Sequence, residues 1–198
     1  MKQEEAIKEA KSSTLASTPV TEEEADSLPD DSSTTSTAST PPTAYHYFAI
    51  GSMTNTTALS LRDLTPISSR PAMLPGYRLV FRGNGGMASA EKTDTLVTHD
   101  DIDQEDYPFD CIHGVLHLLT ASDMQTLDYF EGGYDKQECK VLLYDKVTEI
   151  SAFVYVMHKS AWPVAGPHPH ILPTERYLDI IAKGCTEHGV NPAWIDFI

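Results

Sequence analysis

Two short stretches hold the residue types with which this chain could do chemistry. The first is Ile50-Gly51-Ser52-Met53, where an apolar run beginning at Tyr47 breaks off into glycine and serine. A glycine at a strand-to-helix junction lets successive backbone N–H groups converge, and the helix behind it adds positive potential, so such a loop can hold a carboxylate or a phosphate. A plain turn would look the same, and the pair alone leaves both readings open. The phosphate-binding spacing GxxxxGK[ST] is absent. The second is Glu131, in "LDYFEGGY". It closes a short helix expected over Ser122–Glu131, where exposed carbonyls disfavour a carboxylate by a few tenths to ~1 kcal/mol. Phe130 before it and two glycines after it add partly apolar surroundings. Both effects raise a carboxyl pKa, which is how a glutamate becomes a proton shuttle near neutral pH. A solvated glutamate on a frayed helix end fits the same position.

The histidines do not assemble a metal site. His113 and His117 lie four apart on an expected strand, a separation of ~13 Å, whereas ligands of one zinc must each approach to about 2 Å. His168 and His170 flank a proline with no Cys or carboxylate companions nearby. No Ser/His/Asp or Cys/His arrangement stands out, and Cys111, Cys139 and Cys185 are odd in number and widely spaced, with no CxxC. That usage suits a reducing compartment rather than a disulfide framework.

The elements that must position these residues begin after a tail. Residues 1–43 carry three Lys against nine Asp and Glu and hold few large apolar side chains, so they are expected to be a disordered acidic Ser/Thr-rich segment. Residues 44–198 have the size of one domain. Strands are expected at Tyr45–Ile50, around Tyr77–Phe81, at Cys111–Leu119 (buried on both faces), and in "ECKVLLYD" and "ISAFVYVM". "TTALSLRDL" suggests a helix of one or two turns, Pro75-Gly76 a turn, and "GNGGMASAEK" an extended run. The acidic Asp94–Phe109 stretch reads as a surface loop. Thr120 or Ser122 can cap the Ser122–Glu131 helix; "TERYLDIIAKGCTEHG" is a longer helix ended by Gly189, and "NPAWIDFI" a last short one capped by Asn191. Strands alternate with helices too irregularly for a doubly wound sheet, so the fold class is α+β: a small mixed β-barrel with short rim helices and C-terminal helices.

The net charge is −15, with no Lys/Arg cluster, which excludes nucleic acid as the expected partner. No apolar run approaches the roughly 20 residues of a membrane span. The opening "MKQEEAIKEA" is too acidic for a transit peptide and lacks a signal peptide's apolar core, so the expected location is cytoplasmic. Nothing in the sequence fixes an oligomeric state.

Taken in order, "YFAIGSMTN", "PGYRLVF", "GGMASAE", "HGVLHLLTASDMQTLDYFEGGY" and "PTERYLDIIAKGCTEHGVNPAWIDF" resemble the γ-glutamylcyclotransferase superfamily over residues 45–198. The resemblance implies a small mixed β-barrel and an enzyme that cyclises a γ-glutamyl group to 5-oxoproline, releasing an amino acid, amine or dipeptide. It places Glu131 as the catalytic glutamate, Ile50, Gly51, Ser52 and Met53 as the substrate loop, and Tyr134 and Tyr177 as pocket tyrosines. No metal or organic cofactor is implied. The family loop usually reads Tyr-Gly-Ser-Asn; here Ile50 and Met53 replace a phenol and an amide with apolar groups. A non-catalytic binding or interaction domain with the same barrel is the alternative.

Overall fold

The computed structural model describes residues 43–83, 85–93, 108–158 and 171–198. The expected 1–43 tail, apart from Thr43, most of the acidic Asp94–Phe109 stretch, and His168 and His170 lie outside the described residues.

Among the described residues the elements are β1 Ala44–Ala49, α1 Thr56–Ser60, β2 Ser68–Pro75, β3 Tyr77–Arg82, β4 Met87–Lys92, β5 Cys111–Thr120, α2 Ala121–Phe130, β6 Tyr134–Leu143, β7 Glu149–Met157, α3 Glu175–Glu187 and α4 Pro192–Phe197. Five strands close a barrel in the order β1-β5-β2-β6-β7, while β3 and β4 form a separate two-stranded sheet. All barrel pairings are antiparallel except the closing one, where β7 meets β1 in parallel with Tyr47 opposite Phe153. The mixed α+β barrel with short helices is the architecture that the sequence predicts.

β1 explains why two cores exist. Successive side chains on a strand point to opposite faces, and both faces of β1 are covered. Phe48 and Ile50 join Leu74, Ile112, Leu116, Val141 and Val154 in one cluster, sealed by Ile181, Cys185 and Trp194 of the C-terminal helices. Tyr47 and Ala49 join Met53, Leu59, Leu64, Met124 and Leu127 in a second cluster under α1 and α2. β5 is buried along most of its length, as its apolar composition predicts.

Local structure departs from the sequence expectation most at β2, while the short helix expected after β1 is present as α1. β2 is a full eight-residue strand that its sequence, "SSRPAMLP", conceals behind two prolines. A proline has no N–H to give a ladder, and here β2 meets β6 only through Ala72 and Met73, so neither proline faces that partner. The segment after β1 forms a 3-10 turn, Ser52–Thr54, followed by the five-residue α1; Asn55 caps α1 by accepting from the Thr57 and Ala58 N–H groups at 3.0 and 3.2 Å. Leu59 and Leu64 are buried, but Leu61 stands in solvent.

α2 runs Ala121–Phe130, one residue earlier at each end than expected. Thr120 forms a capping box with Asp123, each side chain answering the other's backbone N–H. Glu131 is the residue that caps the far end. α3 is capped by Thr174 and buries Ile181, Gly184 and Cys185. α4 has Asn191 as cap and Pro192 inside its first turn, as predicted.

α3 lies directly on the turn after β1. A Cβ at Gly184 would stand 2.4 Å from the Thr54 carbonyl carbon and 2.5 Å from the Asn55 nitrogen, so only glycine permits this approach. The Thr54 hydroxyl is 2.9 Å from the Gly51 carbonyl and 3.3 Å from that of Ile181, sharing its proton between turn and helix. Glu187 accepts from the Thr56 N–H and hydroxyl at 3.2 and 2.9 Å. Among the described residues no helix is long and apolar enough to cross a membrane, and no group of three or more His, Cys, Asp or Glu is placed to hold a metal ion.

Alanine at position 184 would gain up to about 1 kcal/mol of helix propensity yet force the helix off the turn, an overpacking cost of about 1–3 kcal/mol. Gly184→Ala is therefore expected to lower the urea midpoint with an unchanged slope, in contrast to the stabilisation that the same substitution gives on an open helix face.

Candidate active site

A cavity of about 210 Å³ opens beside the end of β1. The turn contributes Ile50, Gly51, Ser52 and Met53, the α2–β6 junction contributes Glu131 and Tyr134, and α3 contributes Tyr177. These seven residues are separated by up to 127 positions in the chain, and the barrel brings all of them to one place. Tyr47, Tyr155, Arg62, Phe130, Met87 and Ala88 also line it.

The backbone around Glu131 is fixed on both sides: its N–H donates to the Leu127 carbonyl at 3.0 Å, and its carbonyl accepts from the Tyr134 N–H at 2.9 Å. Burial in the cavity raises the Glu131 carboxyl above its ordinary 4.5, and the Arg62 charge pulls part of that back. The direction matches the sequence expectation, but the cause differs in part. Phe130, expected to supply apolar shelter, is 51% exposed. The cavity's other walls therefore do most of the sheltering.

Four phenols surround the carboxyl. Tyr47, Tyr134, Tyr155 and Tyr177 are all pushed upward, first by burial, with the Glu131 charge adding to each. All four remain protonated near neutral pH, so each phenol has one O–H to donate. Tyr155 is held by donating to Asp128, whose other oxygen takes the Lys136 ammonium at 2.6 Å. Its ring stands edge-on to Tyr47 at 5.5 Å.

Tyr177 and Gly51 belong together. A Cβ at Gly51 would stand 2.8 Å from the Tyr177 hydroxyl oxygen, so the bare glycine admits the phenol. That oxygen accepts the Ala88 N–H at 3.2 Å and also receives the Ser52 N–H. The sequence expectation had the loop's N–H groups facing a ligand. In the structure the Ser52 donor is already turned on the Tyr177 hydroxyl, whose own proton is left to point elsewhere.

His117 holds the turn from beneath. It is fully buried; its Nδ1 lies 2.7 Å from the Ser69 hydroxyl and its Nε2 lies 3.0 Å from the Met53 carbonyl. A carbonyl only accepts, so Nε2 carries the proton, Nδ1 accepts from Ser69, and the ring is neutral. Burial lowers its pKa to about 4, against a smaller upward pull from the Met53 carbonyl. His113 Nδ1 lies 2.8 Å from the Tyr144 hydroxyl, so both strand histidines are satisfied by hydrogen bonds.

The model of the family described as γ-glutamyl cyclotransferase, AIG2-like, matches residues 47–179. The chain belongs to this family. It is 26% identical over 166 residues to the γ-glutamyl cyclotransferase gliK of Aspergillus fumigatus, an alignment covering 77% of this chain and 60% of that one. It is 24% identical over 140 residues to the gliK protein of Claviceps purpurea, covering 64% and 55%. The chain thus spans less than two thirds of the length of these curated relatives. Among solved structures, an uncharacterized protein from Homo sapiens superposes with a TM-score of 0.56 at 25% identity, over 77% of this chain and 85% of that one. A γ-glutamyl cyclotransferase superposes with a TM-score of 0.57 at 24% identity, over 78% and 85%, and shares the fold.

The family match encloses every residue of the cavity. Several of these escaped the sequence reading. Tyr47 and Tyr155 sit inside strands, where an aromatic residue reads as core. Arg62 follows a short helix and looks like surface; its one legible signal is a cation in a chain with twice as many acidic as basic residues.

His117 makes stability depend on pH. Its folded pKa lies below the ordinary 6.5, so the unfolded chain binds the extra proton first. The contribution is whole above about pH 6.5 and is lost as pH falls toward 4, by up to about 3 kcal/mol. His117→Gln keeps an N–H for the Met53 carbonyl but does not titrate. Urea midpoints of this variant at pH 7 and pH 5 are expected to differ by less than those of the parent.

Proposed function

We propose that residues 44–198 form a γ-glutamyl cyclotransferase domain that closes a γ-glutamyl group to 5-oxoproline and releases a free amine or amino acid. The observation that carries this reading is Glu131: a carboxyl of raised pKa in a small cavity, ringed by four phenols. The α-ammonium of the substrate gives a proton to Glu131, and the neutral amine attacks its own γ-carbonyl carbon. The tetrahedral intermediate collapses with cleavage of the γ-C–N bond as Glu131 returns a proton to the leaving nitrogen. The attacking nitrogen loses two protons in all and the leaving nitrogen gains two, so a carboxyl that accepts and then donates balances the reaction.

The α-carboxylate sits at the Gly51-Ser52 turn, where the Tyr177 O–H, oriented by the Ser52 and Ala88 N–H groups, receives it. Fixing that end sets the amine against the carbonyl, and much of the rate comes from this orientation. Tyr134, beside Glu131 in the cavity, would orient the carbonyl. The chemistry draws on no metal or organic cofactor. The unpaired cysteines support a reducing compartment such as the cytoplasm.

The apolar Ile50 and Met53 favour a second reading, a binding domain that retains the cavity without turnover. Incubation with γ-glutamyl amino acids, γ-glutamyl amines and glutathione, followed by measurement of 5-oxoproline, separates the two. Glu131→Gln is expected to cut kcat at least about 100-fold; turnover unaffected by this change would remove Glu131 from the mechanism. In the parent, kcat/KM should fall on the acid side with an inflection above 4.5, because only the carboxylate form of Glu131 can accept the proton and its pKa is raised.

A further inference from the structure

The cavity is small against the reaction proposed for it. About 210 Å³ is less than the roughly 300–1,000 Å³ of pockets that enclose drug-sized ligands. A γ-glutamyl fragment is enclosed and the group it is attached to must run outward. The deep walls are Tyr47, Phe48, Ile50, Met53 and Ala88, all buried. The rim is Phe130, half exposed, with Arg62 beside it, the guanidinium carbon 5.6 Å from the Phe130 ring centre.

Arg62 is anchored but not neutralised. One terminal nitrogen donates to the Ala58 carbonyl at 3.1 Å, and among the described residues no carboxylate oxygen lies within ion-pair distance of it. A guanidinium offers five N–H groups in a planar fork, which suits a carboxylate gripped by two parallel bonds. The side chain is half-buried, and its charge reaches both Glu131 and Tyr177. It therefore lines the cavity beside the half-exposed Phe130, with its charge within reach of Glu131.

We propose that Arg62 is the residue that reads the leaving group, binding a carboxylate on the amine that is released, so that the substrates are γ-glutamyl amino acids or peptides rather than γ-glutamyl amines. This rests on the cyclotransferase reading above. A carboxylate on the departing group would otherwise meet the Glu131 carboxylate across the cavity mouth, and the Arg62 charge offsets that repulsion. The apolar faces of Phe130 and of the Arg62 stem leave room for a side chain beside the carboxylate.

γ-Glutamylalanine and γ-glutamylethylamine differ only by the carboxylate in question, and 5-oxoproline release from each tests the assignment. A charge-assisted contact makes kcat/KM about 10- to 100-fold higher for the alanine compound. Arg62→Gln is expected to collapse that ratio toward one, chiefly through KM, and Arg62→Lys to keep part of it. Measurement well above the acid limb is required, because removing the Arg62 charge also raises Glu131 and moves that limb upward. No preference in the parent, or an equal loss on both compounds in Arg62→Gln, overturns the proposal while leaving the cyclotransferase reading standing. If neither compound yields 5-oxoproline, the catalytic reading fails. The Arg62 assignment is then decided by calorimetric binding of the same two compounds to parent and Arg62→Gln. The same collapse of preference upholds it, and equal affinities or no binding overturn it.

Discussion

A helix backbone laid on a turn, with no side chain between them, fixes the position of the cavity. Gly184 brings α3 against Thr54 and Asn55, and Tyr177 lies seven residues earlier. Seven residues are close to two helical turns, so both lie on the same face. One face of α3 thus presses the turn against the barrel and carries a phenol to the turn's glycine. Neither contact can change without the other, since a rotation that freed Gly184 from the turn would also withdraw the Tyr177 hydroxyl from Ser52 and Ala88. His117 completes the clamp from the barrel side through the Met53 carbonyl.

The apolar character of Ile50 and Met53 has a physical sense in their burial. Met53 packs with Leu59, Leu64, Met124 and Leu127, so its side chain belongs to the core under the rim helices. Ile50 packs on the other side with Phe48 and Ala88. The turn is pinned between two apolar clusters, and the polar side of the cavity comes from the backbone and from tyrosines of β1, β6, β7 and α3. Apolar walls also withhold water from Glu131, which is the main reason its proton affinity rises.

The sequence made those parts of the fold legible that depend on neighbours in the chain. The cap at Asn191, the box at Thr120 and Asp123, and the apolar run of β5 are local signals, and each marked its element. β2 was hidden because a proline in a strand is judged by which partner it faces, and that is a property of the assembled sheet. Glu131 stands out in the sequence by its place after α2 and by the family likeness. Its surroundings were not, since the phenols that bury it arrive from strands and a helix up to 84 residues before it and 46 after it. Arg62 was invisible for the same reason: a half-buried cation on a rim differs from a surface one only in what the folded chain places beside it.

α2 also acts as a ruler. Its first turn is locked to the end of β5 by the Thr120–Asp123 box, and its last residue hands directly to Glu131. The distance and the bearing of the carboxyl from the barrel wall are therefore set by a count of residues rather than by any one of them. Most of the outward-facing side chains of this helix could be exchanged with little effect on the cavity. Adding or deleting a single residue would turn Glu131 by roughly 100° about the helix axis and aim it away from the tyrosines. The length of α2 is under a tighter constraint than its composition, and drift in this family should appear there as substitution and not as insertion.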